Sequence, residues 1–106
     1  MSISDRYRET VKEVNYFLTK LKAAADGEET REWRVVTRAA EGLAELVEQV
    51  GEIPRIRLEA QLTPVLLRAH KQLDQARLLF EEAGEEDQAA GAWELEQKIY
   101  RLLNDL

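Results

Sequence analysis

Cysteine is absent from the 106 residues. A disulfide framework, a thiolate zinc site, an iron–sulfur cluster and a cysteine nucleophile are thereby excluded. The absence fits a reducing compartment, so a cytoplasmic location is expected. Histidine occurs once, at His70. A di-iron bundle needs Glu-x-x-His from two helices, and the residue three before His70 is Leu67, so that site is missing too. No apolar run approaches the ~20 residues of a membrane span, and the first residues carry no secretory hydrophobic region. HExxH, the P-loop, the dinucleotide fingerprint and G-x-S-x-G are all lacking. Positive charge is in deficit: 15 basic residues face 21 acidic ones, a net −6. That balance argues against nucleic acid or an anionic membrane as the main partner. Neither an enzymatic constellation nor a cofactor or metal set is expected.

What remains is an ordinary globular composition, 44% hydrophobic and 34% charged. The length suits one domain with a single core. Residues 1–53 hold 8 basic and 11 acidic residues and residues 54–106 hold 7 and 10, so neither half is a charged tail.

Hydrophobic spacing predicts helices throughout. Tyr7, Val11, Val14, Leu18, Leu21 and Ala25 alternate steps of four and three, the seam of a packed helix, from an N-cap at Ser4 to a turn at Asp26-Gly27. A second helix is expected over 29–50. Its stripe is Trp33, Val36, Ala40, Leu43, Val47 and Val50, widened by Val35, Ala39, Gly42 and Leu46. Thr63-Pro64 reads as a cap and first turn of the third helix, which leaves 51–63 as a crossover whose 54–62 part is a short helix or irregular. The rival is one helix from Pro54 to Ala83, kinked at Pro64. Leu62, Leu66, Ala69, Leu73, Ala76, Phe80 and Ala83 carry that helix to Gly84. Ala92, Leu95, Ile99, Leu102 and Leu106 mark a fourth over 87–104. The expected fold is all-α: a single domain of two antiparallel hairpins, 4–50 and 64–106, closed into a four-helix bundle or stacked as an open solenoid.

Within the second hairpin, Ala76, Phe80 and Ala83 have the A-x3-F-x2-A spacing, followed by Ala92-Trp93, Tyr100 and Asn104-Asp105. The stretch 76–105 resembles a tetratricopeptide repeat. The resemblance implies a protein-binding scaffold of stacked hairpins. The chain departs from that pattern where Glu96 replaces an expected Leu, where the segment between the blocks is short, and where no closing proline follows. In an array fragment, Leu102, Leu103 and Leu106 would be left uncovered.

Few residues carry chemistry. His70 reads as a boundary histidine pairing with Asp74 one turn later. The sharper alternatives are an axial haem ligand, a base oriented by Asp74 or a phosphoryl acceptor. The Glu41/Glu45/Glu48 and Glu81/Glu82/Glu85/Glu86 groups read as solvated faces; acid–base work by two carboxylates would need one of them buried. Gly42 and Gly91, each among alanines, mark close helix approach or space for a flat ligand. The aromatic residues sit on or near apolar stripes, so most are expected in the core, with Tyr16 outside. Leu67 and Leu78, eleven residues apart, share an outer face that Ile56 extends. The function expected is a non-enzymatic protein-interaction or adaptor module that self-associates or docks a partner helix through Leu67, Leu78 and Tyr16. The alternative is a small-molecule or cofactor-binding bundle, natural or designed, with a cavity near Gly42 or Gly91 and His70 as polar anchor.

Overall fold

A computed structural model describes residues 1–106. The chain is all-α: α1 (Ile3–Ala24), α2 (Arg31–Ala44), a short 3-10 turn (Val50–Glu52), α3 (Arg55–Glu82) and α4 (Glu86–Asn104). Each long helix packs on its neighbours in the chain, and α1 closes the ring against α4. The cross-contacts fix the directions. Ser4 and Tyr7 at the start of α1 meet Val50 and Leu43 at the far end of the first hairpin. Arg6 meets Asp105, and Glu13 meets Lys98, so α1 and α4 run antiparallel as well. This is a closed four-helix bundle, 43 Å long.

The seam residues fill the interior. Tyr7, Val14, Val36, Leu43, Leu62, Leu66, Leu73, Ile99 and Leu102 are all but sealed from water. Phe17 and Phe80 meet edge to face across the ring, with centroids 6.1 Å apart. Phe80 is buried and Phe17 packs at the rim.

Local chemistry sets the helix ends. Ser2, not Ser4, caps α1, accepting from the Asp5 N–H at 3.1 Å. Thr30 caps α2 by accepting from the Trp33 N–H at 3.0 Å. At the end of α3, Gly84 takes φ +75°, and the Glu85 N–H donates back to the Phe80 carbonyl at 2.8 Å. That is the Schellman closure, and it needs a residue free of a Cβ penalty.

Two expectations about the middle of the chain are corrected. The second helix stops at Ala44, not at Val50. Three α1 side chains claim carbonyls at and beyond this end: the Tyr7 hydroxyl donates to Leu43, Arg8 Nε to Val47 at 3.3 Å, and Ser4 Oγ to Val50 at 3.2 Å. With the Leu43 carbonyl taken, the Val47 N–H turns to Ala44 instead, and the helix loosens into turns. The crossover therefore spans 45–54. The expected crossover at 51–63 is mostly helix. α3 is one continuous helix from Arg55 with Pro64 in its tenth position, so Thr63-Pro64 starts nothing. Leu58, Leu62 and Leu66 hold one core-facing line through the proline, while Pro64 and Ala60, whose carbonyl loses its partner, lie at the surface where water can serve.

Candidate functional site

The one charged side chain in the core is Glu96, on the inner half of α4. It is 1% exposed. Its helical neighbours Ala92 and Ile99 are buried apolar residues, so the backbone carries the carboxyl into the α3–α4 seam. Four charged or titratable side chains of α3 surround it. His70 Nε2 lies 4.0 Å from Glu96 Oε1, and Arg77 Nε lies 3.5 Å from Oε2. Asp74 and Glu81 complete the set.

Arg77 is the hub. It donates through Nε and Nη2 to Asp74 Oδ1 at 3.0 and 2.8 Å, and through Nη1 to Glu81 at 2.8 Å. Its guanidinium carbon sits 5.7 Å from the centre of the Trp93 ring. Arg77 is thereby held in two ways, by carboxylates on one side and by an aromatic face on the other.

Proton affinities follow from these contacts. Burial, reinforced by the hydrogen bond and negative charge of Asp74, pushes the Glu96 carboxyl up to about 8. Asp74 moves the other way: the Arg77 hydrogen bonds hold it below the usual carboxylate range. The pair therefore divides into an ionised Asp74 and a protonated Glu96 at neutral pH. Oε2 of Glu96 accepts no hydrogen bond in this arrangement. Its proton faces a region made acidic by Asp74, the carboxylate that, after burial, most raises its proton affinity. Such a pair resembles an acid–base couple, yet the buried carboxyl opens onto no solvent from which a substrate could reach it. It can store a proton and grip Arg77.

His70 therefore approaches Glu96, at 4.0 Å, rather than Asp74, which Arg77 occupies. The residues suggested for a ligand cavity do not converge. A Cβ on Gly42 would meet nothing within 4 Å, whereas one on Gly91 would stand 2.7 Å from Phe17 of α1. Gly42 thus marks no close packing, Gly91 marks a tight approach of α1 to α4, and His70, on α3, meets α4 from its opposite side.

The outer surface carries more apolar area than the sequence suggested. Leu67, Leu78 and Ile56 are exposed along α3, in line with their placement off its stripe. Trp93 and Tyr100, expected among the core aromatics, are half-exposed on α4. They are seven residues apart, two turns along one outer face. Tyr16, 67% exposed, stands on α1. It borders a groove of about 620 Å³ between α1 and α4, together with Phe17, Lys20, Trp93, Lys98 and Arg101. Tyr16 is separated from Leu67 and Leu78, since α1 and α3 lie diagonally across the ring. The three do not form one surface.

Leu102 is buried, and Leu103 and Leu106 are half-buried against the same core, so these leucines are covered within the chain. No helix is long and apolar enough to cross a membrane. No family model matches the chain, and the comparisons with curated proteins and with solved structures found no match either.

Proposed function

We propose that the protein is a non-enzymatic interaction module that receives a helix of a partner protein in the groove between α1 and α4. The observation that carries this reading is the set of large aromatic side chains left at the groove: Tyr16 and Trp93 are at least half exposed, and Phe17 is only half-buried between them. Tyrosine and tryptophan, with arginine, dominate binding energy at protein interfaces. A single exposed aromatic residue means nothing, but a concave row of them rimmed by charge is a docking surface.

Charge names the kind of helix. Three cations, Lys20, Lys98 and Arg101, and two carboxylates, Glu13 and Glu94, line the groove of a chain whose net charge is −6. Lys98 and Glu13 pair with each other. Lys20 and Arg101 outnumber Glu94 among the rest, so an amphipathic helix with acidic flanks fits better than a basic one. The groove also lies on the seam between the first and last helices, which no loop crosses.

Selection from a displayed library of helix-forming peptides tests the reading. Wild-type protein should enrich amphipathic, net-acidic sequences, and a Tyr16→Asp, Trp93→Asp variant should lose them. Enrichment that survives those changes but disappears in Leu67→Asp would move the docking site to α3. No enrichment, together with a monomeric state in sedimentation, would remove the interaction reading.

A further inference from the structure

The buried Glu96 cluster and the exposed groove share one residue. Arg77 Nε lies 3.5 Å from Glu96 Oε2, and the same guanidinium stacks over Trp93, which borders the groove. We propose that Glu96 acts through Arg77 on Trp93, so that gain or loss of the Glu96 proton sets how firmly the edge of the groove is held. The regulation rests on the docking role of that groove. The relay from Glu96 to Trp93 stands on the geometry alone.

With the proton on, Glu96 is a neutral acid in the seam, and Arg77 is left to Asp74 and Glu81. Both of those partners hold the guanidinium in place over the indole. With the proton off, a second carboxylate sits unpaired in the seam. Its nearest cation is Arg77, already within a small shift of contact. A buried, unpaired anion is costly and draws the closest donor toward it. The guanidinium moves inward, the stacking on Trp93 weakens, and the indole is freed. His70, 4.0 Å from Oε1, is the other group that could become a cation beside Glu96, and the His70→Gln variant separates its part. From α3, His70, Asp74, Arg77 and Glu81 face Glu96. α1, the other helix packed on α4, meets its charges at Lys98 and Asp105 through Glu13 and Arg6. Both consequences of ionisation act in one direction on an acidic helix: the indole is less well ordered for it, and the seam beneath becomes more negative.

The test uses the free protein first. Trp33 is replaced by Phe so that Trp93 is the one indole, and its fluorescence is followed from about pH 6 to about pH 9. A single transition centred near pH 8 is expected, retained in His70→Gln and absent in Glu96→Gln, whose amide reproduces the neutral acid. A transition that persists in Glu96→Gln, or none in the parent, overturns the relay. Carbon-13 NMR of the Glu96 carboxyl gives the second reading: titration in the ordinary range for glutamate also overturns it. An acidic amphipathic peptide should then bind about two- to fivefold more weakly above the transition than below it, the equivalent of one cation–π contact. Equal binding on both sides refutes the regulation. No peptide binding at all, with the Trp93 transition intact, refutes the groove and leaves the relay standing.

Discussion

Replacing Glu96 by Gln should make the protein more stable at neutral pH, although it removes a carboxyl that sits beside an arginine. The magnitude comes from the proton. In the unfolded chain Glu96 has its ordinary value of 4.5, and in the folded bundle about 8. Between those values the folded state holds a proton that the unfolded state releases, so stability falls as pH rises. This group's contribution is fully present below 4.5, declines through the neutral range and levels off above about 8. At ~1.4 kcal/mol for each pH unit, the loss by about pH 7 is on the order of 3 kcal/mol. Glutamine keeps the shape of the neutral acid, with one donor group and one acceptor oxygen. It does not titrate, so the loss disappears. Urea unfolding of both proteins from about pH 4 to about pH 9 measures it. The two should agree at the acid end and diverge by about 2–3 kcal/mol near neutrality, the variant being more stable. A difference that does not change with pH, or a variant less stable at every pH, would show that Glu96 is ionised in the folded state and that the seam has been misread.

Four other substitutions probe the frame that positions the site. Gly42→Ala should stabilise by about 1 kcal/mol, because the added methyl meets open space and the helix gains a better former. Gly91→Ala should lower stability by about 1 kcal/mol instead, since the methyl would stand 2.7 Å from Phe17; thermal unfolding of the pair reads the contrast. Tyr7→Phe leaves the Leu43 carbonyl without its donor in the core and should cost about 1–3 kcal/mol, with hydrogen exchange at 45–50 rising as the crossover loosens. Pro64→Ala restores a helical N–H to the Ala60 carbonyl inside α3 and should add about 2 kcal/mol in denaturant unfolding.

The fold was legible because it is written in local spacing. Every helix shows its alternating stripe, and the glycines that end α1 and α3 take the positive φ their positions suggest. The two boundaries that were misplaced depend on something else. Where α2 stops is decided by Tyr7, Arg8 and Ser4, more than thirty residues away, and spacing along α2 contains no trace of them. Pro64 reads locally as a start, but the leucine line at 58, 62 and 66 packs on the core and carries the helix through it.

The site was less legible for related reasons. Glu96 showed one signal, its place in an apolar row between Ala92 and Ile99, where the resemblance to a repeat called for leucine. That departure marks the buried carboxyl itself. His70 and Asp74 share a turn of α3, so their pairing looked natural; Arg77, on the same face, takes Asp74 and leaves His70 to the facing helix. Leu67, Leu78 and Tyr16 were placed correctly at the surface one by one. Their separation onto two sides, and the exposure of Trp93 and Tyr100, appear only once the ring is closed and each helix has spent its faces.

The central claim is that the α1–α4 groove receives a helix. Nitrogen-15 correlation spectra recorded while a selected acidic, amphipathic peptide is added test it most directly. Shifts are expected at Tyr16, Phe17, the Gly91 amide and the Trp93 indole, with Ile56, Leu67 and Leu78 unmoved. Shifts confined to the outer face of α3, or spread evenly over the bundle, would contradict it.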